Sequence, residues 1–262
     1  MLAGDEDGMP EGASVAAVVR AMLDSAVDDL VSAYELARTG SGGATAVATL
    51  VRGTVELSGV GMFVLTGSER RGRQQRALRV VHDSYQNAAK FFTQLSTDPI
   101  SPPPVREEAS LHAKKNAAEC GKVADAALRL GIKKTHVTAK LDRTGLLREV
   151  DQARDTQFFS RWQLCSGYAH GLAWAHEFFN KRLYTHTIEG GGVIIGGTLD
   201  GDRLLSMLGW GRHAIEDLLG TFAAGRASQP DMGPDATLVS GPPEKVKAMY
   251  PGVPVSIRLV ID

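Results

Sequence analysis

Apolar positions recur at three- and four-residue steps along most of this chain, the mark of helices that each bury one face. Ser14 is a natural N-cap. From it Val15, Val18, Met22, Val27, Leu30, Tyr34 and Leu36 trace a helix to about residue 38, where the Gly40–Gly43 stretch breaks it. A second helix is predicted over 44–65, carrying Val47, Leu50, Val51, Leu57, Val64 and Leu65. Gly53, Gly59 and Gly61 each lower its intrinsic propensity by about 1 kcal/mol and mark close helix–helix approach. A third helix is predicted over 69–95, basic in its first half and aromatic in its second. The Pro-rich segment 98–104 makes a stiff loop. A fourth helix follows over 105–130, stopped by Gly131.

A polar stretch over 132–145 and a short helix near 145–155 lead to a long aromatic helix expected over 156–182. The pattern then changes. Residues 184–188 and 193–195 flank Gly190, Gly191 and Gly192 and read as a β-hairpin, over about 184–196. A last helix is expected over 202–224. These elements predict a mainly α protein: a helical bundle with a small β-hairpin and an irregular C-terminal extension. The expected divisions are an acidic, disordered segment over 1–12, a bundle over 13–225, and a Pro/Gly-rich extension over 226–262 with a terminal strand near 253–261.

Composition narrows the class. With 262 residues, 43% hydrophobic and 23% charged, the chain can build a core without disulfides. Its two cysteines, Cys120 and Cys165, exclude a disulfide scaffold and a four-cysteine zinc site within one chain. No uninterrupted apolar run approaches about 18 residues, and no basic-then-apolar leader opens the chain. The expectation is a cytoplasmic protein with no membrane span, no metal and no cofactor. The net charge of −1 means that a nucleic-acid role needs a local basic patch. One is available in Arg70, Arg71, Arg73, Arg76 and Arg79, and Lys133 and Lys134 extend the basic character. Arginine forks suit phosphate, which makes RNA or another anion the expected partner. A solvated charged face is the competing explanation.

Candidate chemistry concentrates in the aromatic helix. On a continuous helix Ser166, His170 and Glu177 fall on one line, so that a hydroxyl, an imidazole and a carboxylate share a face. Such a serine still needs an oxyanion hole. The alternative is that Ser166 and Gly167 serve tight packing while His170 is a satisfied core residue. Arg52 and Glu56 stand four apart and can pair along their helix. Cys165 lies in the apolar stripe and reads as an inert core thiol.

Three stretches carry a resemblance: Arg52-Gly53-Thr54-Val55-Glu56 with the arginine-rich start at 70–79; the Gly131-Ile132 stop with its basic linker; and Leu164-Cys165-Ser166-Gly167-Tyr168-Ala169-His170-Gly171. Together they make the chain similar to a group of actinobacterial helical proteins that distantly resemble HEPN-type domains. The resemblance implies a helical bundle, often a homodimer, and metal-independent ribonuclease chemistry in RNA processing or defence. In that chemistry an arginine precedes a histidine by a short spacing. His170 carries over as the acid–base group. Arg161 stands nine positions before it, on the opposite side of an unbroken helix, which leaves Arg52 to supply the arginine. Two alternatives stay open: a non-catalytic helical interaction protein, and a nucleic-acid-binding regulator that uses the basic faces.

Overall fold

The computed structural model describes residues 5–40, 43–187 and 193–227, with side chains for those outside 182–199 and 226–227. Its described part is mainly α, as the periodicity predicts. The elements are α1 (Val15–Thr39), α2 (Ala44–Leu65), α3 (Arg70–Thr97), α4 (Pro103–Arg129), α5 (Lys134–Thr138), α6 (Arg143–Arg154), α7 (Phe158–Ala169), α8 (Ala173–Phe179), β1 (Asn180–Thr187), β2 (Val193–Leu199) and α9 (Gly201–Ala227). The expected extension over 228–262, with its strand, lies outside the described residues.

Helix α2 is the hub, packed by α1, α6, α7 and α9. Its apolar side chains Val47, Val51 and Val55 are fully buried among Val15 and Val19 of α1, Leu147 of α6, Cys165 of α7, and Met207 and Leu218 of α9. The glycines of α2 make this crowding feasible. A Cβ on Gly59 would strike Leu147, one on Gly53 would strike the Asp29 carboxylate, and one on Gly61 would sit 2.9 Å from Leu218. Helix propensity is sacrificed at these positions for backbone approach. By length and hydropathy α2 would also suffice to cross a membrane, which the absence of an unbroken apolar run had argued against; 67% of that window is buried inside the bundle.

Local signals fix the helix ends. The Ser14 hydroxyl accepts from the Ala17 N–H (3.1 Å), and Gly40 ends α1 in the left-handed region. Helix α4 starts at Pro103, two residues earlier than expected, because proline fits the first turn, where N–H groups lack intrahelical partners. It ends at Gly131, whose N–H donates to Leu128 O (2.9 Å) while the Ile132 N–H donates to Ala127 O (2.8 Å).

The long helix expected over 156–182 is broken twice. First, Gly171 adopts φ +71°, its N–H donates to Tyr168 O (3.1 Å), and the Leu172 N–H donates to Gly167 O (2.9 Å). That double bond closes α7, and α8 begins at Ala173. Second, the chain becomes extended at Asn180, so the hairpin is longer than expected: β1 and β2 pair antiparallel from Asn180↔Leu199 to Thr187↔Val193. Upstream, Asp151 of α6 organises the start of α7. Its carboxylate accepts from the Thr156 hydroxyl (2.7 Å) and from the Phe158 and Phe159 N–H groups (2.7 and 3.0 Å). Charge-assisted bonds to otherwise unpaired helix N–H groups are among the stronger ones. Asp151→Ala is expected to destabilise the protein by about 1–3 kcal/mol in urea unfolding, and Asp151→Asn by less.

Helices α3 and α4 form an antiparallel hairpin that outgrows the bundle. Its base is closed by Leu78, Val123, Ala127, Ile132 and Val137. Beyond Asp83 no residue of α3 is buried, and between 103 and 122 of α4 only Ala109 is. This distal part is an arm about 20 Å long. Its helices hold each other through Phe92, which stacks on His112 with ring centroids 4.9 Å apart. Asp98 ties the tip, accepting from the Ile100 N–H (3.0 Å) and the Ser101 hydroxyl (3.2 Å).

His82 sits at the base of the arm, 6% exposed. Burial pushes its pKa below the usual 6.5; Asp83 opposes the shift and Lys134 adds to it. The unfolded chain therefore takes up a proton that the native state refuses, and stability falls as pH drops below about 6.5. In urea titrations across that range, His82→Gln is expected to flatten the slope of stability against pH.

Candidate functional site

Arg52 and Glu56 do come together with other charged groups, at the meeting of α2, α3, α6 and α7. Glu56 accepts the Trp162 indole N–H (2.9 Å) and lies 3.7 Å from Arg52 and 3.8 Å from Arg143. Arg143 also reaches Asp83 (3.4 Å), which accepts the Leu141 N–H (3.2 Å) and the Asn87 amide (3.1 Å). The Arg52 guanidinium stands 5.7 Å from the Trp162 ring centroid. Its Nε is buried and has no hydrogen-bond partner. Arg143 thus spans two carboxylates on two helices, and the cluster straps α6 and α7 onto α2 and α3. No nucleophile takes part in these bonds.

His170 is elsewhere. It caps the end of α7 and is exposed. It stands eight positions after Trp162, about 12 Å along a helix axis, and does not join the Arg52–Glu56 cluster. Ser166 meets it only through the backbone, Ser166 O accepting the His170 N–H (3.0 Å). Among the described residues no hydrogen bond or ion pair holds the His170 ring. The break at Gly171 also moves Glu177 onto a different helix, α8, and dissolves the expected Ser166–His170–Glu177 line. The nearby polar network is one the sequence did not announce: the Tyr168 hydroxyl donates to Asn180 (3.0 Å), Asn180 bonds His176 (3.3 Å), and the His176 ring stacks on Tyr168 (4.2 Å). It ties α7, α8 and β1 together.

The arginine cluster is not a free basic face. Arg73 is 3% exposed and bonds both oxygens of Asp5 (2.7 and 3.1 Å) and Gly67 O (3.2 Å). Arg70 pairs with Asp7 (2.9 Å). Arg71 donates to Leu130 O and Gly131 O, the carbonyls left open at the end of α4. Arg76 bonds Phe63 O (2.8 Å), the Thr66 hydroxyl (2.7 Å) and Glu149, and covers the Phe63 ring at 4.5 Å. Arg79 donates to Ala139 O and Lys140 O (3.2 and 2.6 Å). Each fork is used as structural glue. The acidic segment expected to be disordered supplies two of the partners: residues 5–12 form turns, and Asp5 is 1% exposed. Lys133 and Lys134 do lie exposed, at the start of α5.

The thiols divide by burial. Cys165 is fully buried, and burial pushes its pKa up to about 12. Cys120, half-buried on the arm, is raised by the same cause to a lesser degree. The thiolate is the reactive form. With a thiol-specific disulfide reagent near pH 8, Cys120 is expected to react in the native protein and Cys165 only as fast as the protein unfolds.

Besides Tyr34, Leu128 and Leu205, the exposed large apolar side chains among the described residues fall in two groups. Leu172, Trp174 and Phe178 lie on and beside α8. Phe91, Ile100, Val105 and Leu111 lie on the arm, Ile100 91% exposed at its tip and Leu111 67% exposed on the outer side of α4. A groove of about 460 Å³ also runs along the arm between Ala89, Thr93, Ala117 and Cys120.

The fold and these surfaces define a mainly α bundle with a protruding helical hairpin. No family model matches the chain, and no curated protein or solved structure matches it either. The HEPN resemblance therefore rests only on the residues that suggested it.

Proposed function

We propose that this protein is a non-catalytic helical interaction protein whose contact element is the α3–α4 arm. The observation that carries the reading is the arm itself. Past Asp83 of α3 and before Val123 of α4 it buries only Ala109, and it keeps Phe91, Ile100, Val105 and Leu111 exposed. Four large apolar side chains left exposed on one protruding element suit it to contact with another molecule. The remaining chemistry supports the same reading. Arg52 and Glu56 strap helices, the five arginines of α3 are internal ties, and His170 stands apart from all of them.

Testing this requires the arm to be altered without unfolding the bundle. The exposed positions allow it, through Phe91→Ser, Ile100→Ser and Leu111→Ser in one chain. Immobilised wild-type protein is expected to retain a defined set of proteins from the cells that make it. The triple variant should lose that set and His170→Ala should keep it. Retention unchanged in the triple variant would sink the reading.

A metal-independent ribonuclease remains the second reading, favoured by one observation: the His170 ring is exposed at the end of α7. It requires an arginine to stand beside that ring.

A further inference from the structure

We propose that the outer face of α4 pairs, antiparallel, with the same face of a second copy of this chain, about a two-fold axis at Leu111. The inference rests on the arm being a contact element and names its partner.

The face is defined by geometry. At about 100° per residue, Pro104, Glu107, Glu108, Lys114, Lys115 and Ala118 all fall within about 60° of Leu111. Each of these seven residues is exposed. The opposite side of α4 faces α3, burying Ala109, Val123 and Ala127 and stacking His112 on Phe92. The outer face therefore points away from its own chain.

Its charges are arranged as a self-complementary set. Glu107 and Glu108 precede Leu111 and Lys114 and Lys115 follow it. Within one chain Glu107 and Lys114 stand about 10 Å apart along the helix, too far to pair. Glu107, Lys114 and Lys115 make no ion pair among the described residues, and Glu108 reaches only His112, at 3.7 Å. An antiparallel two-fold at Leu111 brings Glu107 beside Lys114 and Glu108 beside Lys115 of the second copy, each pair on the same flank, twice over, with Leu111 against Leu111. A parallel pairing in register would set like charges on like, so the charges choose the orientation.

The ends fit as well. Pro104 falls opposite Ala118. The overlap, residues 103–119 of each copy, runs about 25 Å. That makes a small interface of the transient class, with an association that weakens with salt.

Two measurements decide the matter. In sedimentation velocity, wild-type protein is expected to pass from monomer to dimer with rising concentration, and to shift back in high salt. Glu107→Lys with Glu108→Lys should weaken self-association more than tenfold. Lys114→Glu with Lys115→Glu should do the same, and an equimolar mixture of the two variants should dimerise again. In a Cys120→Ser background, Leu111→Cys should form a disulfide-linked dimer on mild oxidation far faster than Thr93→Cys, which lies on α3. A monomer at every concentration, a dimer indifferent to both charge reversals, or equal cross-linking at 93 and 111 would overturn the pairing. If the pairing fails while the Phe91, Ile100 and Leu111 triple variant still loses the retained proteins, the arm binds a different partner. If both fail, the arm is not a contact element at all.

Discussion

Asp5→Ala is expected to cost about 3–5 kcal/mol of folding stability, more than most single changes at the far end of a polypeptide. Asp5 is 1% exposed and Arg73 3%, and they meet through two hydrogen bonds. Removing the carboxylate leaves a guanidinium in a place that water hardly reaches. The Gly67 carbonyl still accepts from it, but the carboxylate that balances its charge is gone. The penalty is that of a buried charge stripped of its counter-ion, not the net worth of the pair. A paired replacement, Asp5→Leu with Arg73→Met, should recover most of the loss, because neither side then buries an unpaired group. Urea unfolding of the two single variants and the double variant checks this directly. A loss below about 1 kcal/mol for Asp5→Ala would mean that the N-terminal segment does not dock on α3.

Phe179→Ala is expected to cost about 3–5 kcal/mol, while Phe178→Ala next to it costs less than about 1 kcal/mol. The two residues share a side chain and a helix but not an environment. Phe179 is fully buried, edge-on to Tyr168 at 5.1 Å and 6.0 Å from the Trp210 ring centroid. Deleting it leaves a cavity lined by groups that cannot all collapse inward. Phe178 is 43% exposed and is covered on one side by the Arg203 guanidinium at 4.6 Å. Thermal or urea unfolding of the two variants side by side should separate them by several fold in destabilisation. Equal effects would contradict the break that turns α8 away from α7.

Periodicity alone located α1, α2, α3, α4 and α9 to within a few residues, because each carries one long apolar stripe. The glycines of α2 announced close approach, and Leu147 and Leu218 fill that role. Gly171 was the missed signal. It sits inside an apolar pattern, and its left-handed conformation is a decision of the local hydrogen bonds rather than of hydrophobicity. Once the helix breaks there, the apparent alignment of Ser166, His170 and Glu177 disappears.

The arginines teach a related lesson. Five of them within ten residues looked like a phosphate-binding face. The acidic Asp5 and Asp7 in the same chain were the cue that the charges are satisfied internally. The carbonyl partners of Arg71 and Arg79 had no such cue, since backbone acceptors at helix ends appear only once the chain is folded. Glu56 was visible as a partner of Arg52, but Trp162, Arg143 and Asp83 join it from three other segments, and one-dimensional spacing cannot bring them together.

The most direct test of the central claim, that this bundle binds rather than cleaves, is incubation of a mixed RNA pool with the purified protein in EDTA, wild type beside His170→Ala. The account predicts that neither protein shortens the RNA. Cleavage by the wild type that disappears in His170→Ala would contradict it, and would make the exposed end of α7 an active site.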